Sequence, residues 1–198
     1  MKLSAIAIAS AAILAATLSA PAQAATLGWE GCAAGPTSYV VTGWWLYGAA
    51  NTGSTTTATS IWVGLGHHGR ERGGFTATER NGHTTYKVWT QVWPDAPVAV
   101  PHVALQGDYV SVHVRWLGGT RYSIGITDRN RGWHFERAVV SEYSDHSTQE
   151  AIAEAFGPPP ARLHLFTFYQ SFNGTVCYRQ VPGYTLIRAT PRITRISG

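Results

Sequence analysis

Cysteine, methionine and acidic side chains are all scarce here: two cysteines, one methionine and eleven Asp plus Glu, against fifteen Lys plus Arg in 198 residues. Cys32 and Cys177 are too far apart in sequence to read as a thiolate metal motif. They leave two alternatives, one disulfide closing almost the whole domain or two free buried thiols. Eight histidines are present, but His67 and His68 are adjacent and on a strand would point to opposite faces. Neither Cys-x-x-Cys nor His-Glu-x-x-His occurs, so no metal site is expected. Gly-x-Ser-x-Gly is also missing, which removes the nucleophile elbow of the α/β hydrolases. No His/Asp/Ser set stands out, and neither cysteine sits in a thiol-nucleophile motif. The basic residues form no stripe: Arg70, Arg72, Arg80, Arg129, Arg131, Arg188, Arg192 and Arg195 are scattered. A nucleic-acid partner is not expected from that distribution.

Long hydrophobic runs are missing too, except at the start. Lys2 precedes an almost wholly apolar, small-residue run from Leu3 to Leu18, and Ala22-Gln23-Ala24 gives a small-x-small cleavage pattern. This reads as a secretory signal peptide over residues 1–24. The expected mature chain, residues 25–198, suits a single domain. It is expected to be secreted, monomeric and free of the membrane after cleavage.

What the chain has in quantity is β pattern. Val110, Val112, Val114 and Trp116 alternate with Ser111, His113 and Arg115. Tyr122, Ile124 and Ile126 line a following strand, and Trp133–Val140 reads as another. Strands are also expected at 28–32, 38–45, 61–66, 75–79, 163–169 and 184–187. Asn81-Gly82 and Asn173-Gly174 are turn signals, and His67–Gly74 reads as a polar turn closed by a glycine pair. Residues 49–60, rich in Gly, Thr, Ser and Asn, read as a loop. Short strands at this spacing argue for an all-β sandwich of antiparallel sheets. One stretch resists. Ser147 and Glu150 have capping-box spacing before Ala151–Phe156, and Gly157 with three prolines follows, a local helix pattern.

The Ile61–Asp95 stretch holds three of the eight tryptophans. Alternation puts Lys87, Trp89, Gln91 and Trp93 on one strand face, and Tyr86, Val88, Thr90 and Val92 on the other. The valine face reads as core. The tryptophan face is flat and polar-edged, which suits a groove, and Trp62, Trp89 and Trp93 are its candidate substrate-binding residues. With thiol, serine and metal chemistry set aside, a carboxylate acting as general base on water remains. An amide nearby would donate to the developing oxyanion.

The ordered motifs Gly28-Trp29-Glu30-Gly31, Ile61-Trp62-Val63-Gly64-Leu65-Gly66, Trp89-Thr90-Gln91-Val92-Trp93-Pro94-Asp95, Gly107-Asp108-Tyr109-Val110 and Thr148-Gln149-Glu150-Ala151-Ile152-Ala153-Glu154 resemble the glutamic peptidases, or eqolisins. The resemblance covers most of the mature chain. It implies a concanavalin-like β-sandwich and a secreted, acid-active endopeptidase that takes a polypeptide substrate and needs no cofactor. The family dyad is a glutamate that activates water and a glutamine that stabilises the tetrahedral intermediate. Glu150 takes the glutamate's place. The family strand after the Trp-Val-Gly loop reads like Ile-Gln-Ala-Gly; here Phe75-Thr76-Ala77-Thr78 is matched to it, which puts Thr76 at the glutamine position. A hydroxyl reaches less far than an amide, so Gln91 is expected to supply the amide. A second class of function stays open, a catalytically impaired relative that binds extracellular peptide or polysaccharide through Trp89 and Trp93.

Overall fold

The computed structural model describes residues 26–46, 53–66, 69–142, 146–156, 176–180 and 187–189. The expected leader, the strand at 163–169, the Asn173-Gly174 turn, His67 and His68, and all of 184–187 but its last residue lie outside them. Among the described residues the strands are β1 (Thr26–Ala34), β2 (Tyr39–Trp45), β3 (Thr57–Leu65), β4 (Glu71–Arg80), β5 (His83–Val92) and β6 (Val98–Ala99). They continue with β7 (Tyr109–Gly118), β8 (Arg121–Asp128), β9 (Trp133–Val140), β10 (Gln149–Phe156), β11 (Val176–Gln180) and β12 (Ile187–Ala189). All pairings are antiparallel. One sheet has eight strands in the order β12-β11-β1-β10-β3-β4-β5-β6, and the other has four, β2-β7-β8-β9. The fold is a two-sheet β-sandwich.

The core forms where the alternating apolar faces meet. Ile61, Val63, Leu65, Phe75 and Val88 from the large sheet join Val110, Val112, Val114, Tyr122, Ile124 and Ile126 from the small one, all buried in one cluster. Burying each such aliphatic side chain is worth about 1.5–3 kcal/mol. Trp44 meets Phe75 edge-on across the sandwich, with centroids 5.7 Å apart. The Asn81-Gly82 signal holds: φ is 51° and 76°, and the two residues close a tight hairpin between β4 and β5. Positive φ at both central positions is what a type I′ turn requires.

Three local expectations are overturned. The helix pattern at 147–156 is strand β10, which lies between β1 and β3 and pairs with both. Ala151 and Ala153 are fully buried on its core face. A helix this short is marginal in water, so two flanking ladders outweigh the capping box. The loop expected at 49–60 ends earlier, because β3 begins at Thr57. The turn expected at 67–74 also ends earlier, because β4 begins at Glu71. The glycine pair there serves packing. A Cβ on Gly73 would come within 2.8 Å of Ile124 Cγ2 and 3.0 Å of Val112 Cγ1, and one on Gly74 within 2.1 Å of the Ile61 carbonyl oxygen. Glycine lets the sheets and strands approach that closely.

Candidate active site

The face of the large sheet turned away from the core carries the candidate residues in rows, because directly paired residues share a face. In one row Glu150 of β10 lies opposite Gly64 of β3, Gly64 opposite Arg72 of β4, and Arg72 opposite Gln91 of β5. The next row runs Ile152, Trp62, Gly74, Trp89, and the one after it Glu154, Ser60, Thr76, Lys87. Glu150 and Arg72 are thus two strands apart, about 10 Å between Cα atoms from the strand spacing. Only Gly64, which has no side chain, stands between them.

Arg72 is held on several sides. Its Nε donates to Gln91 Oε1 at 2.8 Å, and its Cζ lies 4.8 Å from the centroid of the Trp62 ring. A guanidinium carries five N–H groups, so four remain on the terminal nitrogens. Burial pushes the Arg72 pKa below its usual value, while the negative charges of Glu154 and Glu150 pull it back up. It remains a cation at every working pH. Glu150 is half-buried, and the Thr148 hydroxyl lies 3.3 Å from its Oε1 while also donating to the Gly66 carbonyl at 2.9 Å.

Trp62, Trp89 and Ile152 form their own small buried cluster beneath these groups. Trp62 and Trp89 are only 3% and 8% exposed, whereas Trp93 is 40% exposed, with the Arg70 guanidinium 5.5 Å from its ring centroid. Of the three expected binding tryptophans, two therefore form a floor and one offers an open ring.

The register separates the other two expected site residues by role. Thr76 lies in the Glu154 row, two rows from Glu150. Its hydroxyl pairs with Ser60 Oγ at 2.7 Å and accepts from Trp89 Nε1 at 3.0 Å, which braces the floor. Gln91 does share the Glu150 row, but its amide is engaged at both ends. Oε1 accepts from Arg72, and Nε2 donates to the Asp95 carbonyl at 2.6 Å.

The residue that sequence reasoning missed is Arg72. The Gly73-Gly74 pair suggested a turn and hid the alternation Arg70, Arg72, Gly74, Thr76 along one strand face. The Ile-Gln-Ala-Gly pattern also fits Glu71-Arg72-Gly73-Gly74, with a small residue and then glycine after the key position. That fit, four residues earlier than Thr76, puts arginine where the pattern has glutamine. Among the described residues no group of three or more His, Cys, Asp or Glu is placed to hold a metal ion.

Comparison with known proteins gives the fold and the family. No sequence among the curated proteins matches the chain. Scytalido-glutamic peptidase, solved with a peptide-based transition-state analogue, is similar in structure at 15% identity, covering 81% of this chain and 82% of that one with TM-score 0.51. SCP-B, a member of the eqolisin family of peptidases solved with the tripeptide Ala-Ile-His, is similar at 15% identity, 81% and 82% coverage and TM-score 0.52. A second scytalido-glutamic peptidase structure, with a transition-state analogue inhibitor, has 14% identity, 84% coverage of each chain and TM-score 0.52. These likenesses show the fold. The Peptidase A4 family profile matches residues 36–182, more than half of the chain, and the protein belongs to that family.

Proposed function

We propose that the protein is a secreted glutamic-type acid endopeptidase in which Glu150 activates water. The observation that carries this reading is the placement of Glu150 on a central strand, on the face away from the core, opposite a cation across a side-chain-free gap. The Glu150 carboxylate takes a proton from a water that it binds, and the water oxygen attacks the scissile carbonyl carbon. The carbonyl oxygen becomes an oxyanion in a tetrahedral intermediate. As that intermediate collapses, protonated Glu150 returns its proton to the leaving amine and the peptide bond breaks. The family membership and the peptide-type ligands of similar structures support a polypeptide substrate. The apolar, small-residue start of the chain supports export.

The test is cleavage of denatured protein by the purified chain from about pH 2 to neutrality, the range in which carboxylates act as bases. Cleavage is expected in acid, and Glu150→Gln is expected to abolish it with the fold intact by circular dichroism. A wild-type chain that cleaves nothing across that range, or a Glu150→Gln chain that cleaves normally, ends the reading.

A further inference from the structure

We propose that Arg72 is a catalytic residue, a cation that binds the oxyanion of the tetrahedral intermediate, and that Gln91 is its positioning residue. The inference rests on the assignment of Glu150 as the base. It follows from how three neighbours constrain one side chain. Arg72 and Glu150 share a row and a face, with Gly64 between them. The Gly69 backbone packs onto Gly64 on this face, so a substrate carbonyl would lie outside it, flanked by the carboxylate on one side and the guanidinium on the other. Gly64 must stay bare because a Cβ there would come within 3.0 Å of Arg72 Cβ and 2.9 Å of Gly69 Cα, so no side chain parts the two groups.

The guanidinium is also oriented before any substrate arrives. Gln91 fixes the Nε edge, and Gln91 is itself pinned by the Asp95 carbonyl. The Trp62 ring lies against the guanidinium carbon. Gly69 gives that ring room, since a Cβ at Gly69 would come within 2.2 Å of it. Charge held in place before the reaction stabilises a developing anion without reorganisation. Nε is committed to Gln91, so the terminal N–H groups are the ones that meet the oxyanion. Gln91 accepts from Arg72 and lends its own N–H to the backbone, which makes it a support for the cation and not the oxyanion donor.

The experiment compares the wild type with Arg72→Ala, Arg72→Lys, Arg72→Gln, Gln91→Leu and Glu150→Gln on a fluorogenic peptide, with thermal unfolding of each variant as a folding control. A second readout is inhibition by a peptide containing a non-hydrolysable tetrahedral centre, set against the affinity of the matching product peptide. Arg72→Ala is expected to lower kcat by about 10²–10³-fold, the usual cost of one oxyanion donor, with KM changed little. It should weaken the tetrahedral inhibitor by a similar factor and leave product binding unchanged. Arg72→Gln, which keeps an N–H donor, should recover part of the loss, and Arg72→Lys should recover part through charge. Gln91→Leu should lower kcat by a smaller factor in the same direction.

Activity lost in Glu150→Gln but retained within threefold in a folded Arg72→Ala chain overturns this proposal and leaves the base assignment standing. Equal loss of inhibitor and product affinity in Arg72→Ala overturns it too, since that marks uniform binding and not transition-state stabilisation. If Arg72→Ala fails to fold, Arg72→Lys and Arg72→Gln decide on the same inhibitor-to-product ratio. A wild-type chain with no activity removes the peptidase reading and this proposal together.

Discussion

Asp108, just before β7, and Asp128, closing β8, are both held by Arg131 at the end of the small sheet, the first by its side chain and the second by its backbone. Both are buried. Asp108 Oδ2 accepts from the Leu105 backbone N–H at 2.7 Å and from Arg131 Nε, and Asp128 Oδ1 accepts from the backbone N–H groups of Asn130 and Arg131. Two buried carboxyls that feel each other's charge cannot both ionise cheaply. Burial pushes Asp128 above the usual carboxylate range, with the charge and hydrogen bond of Asp108 adding to it and the Arg131 backbone bond opposing it. Burial also pushes Asp108 upward, but the Leu105 bond, the bond and charge of Arg131 and the Asp128 bond together hold it below that range.

The signs give a pH prediction. Asp128, raised in the fold, contributes stability below its unfolded pKa and loses it as pH rises through its folded value. Asp108, depressed in the fold, contributes above its unfolded pKa and loses it only as acid takes it through its lowered folded value. Asp128→Asn keeps an acceptor for the turn but cannot ionise. Its urea midpoint is expected to match the wild type near pH 4 and exceed it toward pH 8, about the window above ordinary carboxylate pKa values. Two parallel midpoint-against-pH curves would rule out the raised Asp128 pKa.

The close approach of the sheets at Gly73 sets a packing prediction. Gly73→Ala is expected to destabilise the fold by about 1–3 kcal/mol, the usual cost of overpacking a core, because the added methyl meets Ile124 and Val112 from the opposite sheet. Chemical denaturation measures it. A neutral result would mean that the sheets separate freely there.

The tryptophans should divide as their burial divides. Trp62→Ala removes a floor residue and is expected to cost about 3–5 kcal/mol. Trp93→Ala is expected to cost under about 1 kcal/mol, as for most exposed positions, and to show its effect in KM. Equal stability losses in the two variants would contradict the distinction between floor and open ring.

Cys32 and Cys177 are direct cross-strand partners in the β1–β11 register. Such partners have Cα atoms about 4.5–5.5 Å apart, within the range that a disulfide spans. The expected result is no free thiol in the unfolded, unreduced protein by thiol titration. Cys177→Ser should then lower stability by about 2–4 kcal/mol. Two titratable thiols would settle for the other alternative.

Where the physics was local, the sequence could be read directly. Val110, Val112 and Val114 alternate cleanly because one face of β7 is core and the other is not. Asn81-Gly82 marked its hairpin because few residues other than asparagine and glycine adopt positive φ readily. Where tertiary packing decides, local pattern misled. Thr57, Thr59 and Ser60 have loop composition but are buried in β3. Ala151 and Ala153 favour helix in isolation but suit a central strand packed against the other sheet. The site was legible in part for the same reason. Glu150 entered the candidate site through its ordered motifs. Arg72 did not, because the two glycines that follow it have the same letters whether they turn a chain or let two sheets touch.

The row of Glu150, Gly64, Arg72 and Gln91 draws on four strands, and its base arrives on the last of them, between β1 and β3. A one-residue slip in any pairing would send that strand's side chain into the core. During synthesis, then, β3, β4 and β5 can pair while the position between β1 and β3 is still empty. The nascent chain carries Arg72 without Glu150 until about three quarters of the sequence has been made. The order of the strands therefore delays the row: its four residues come together only when β10 enters the sheet between β1 and β3.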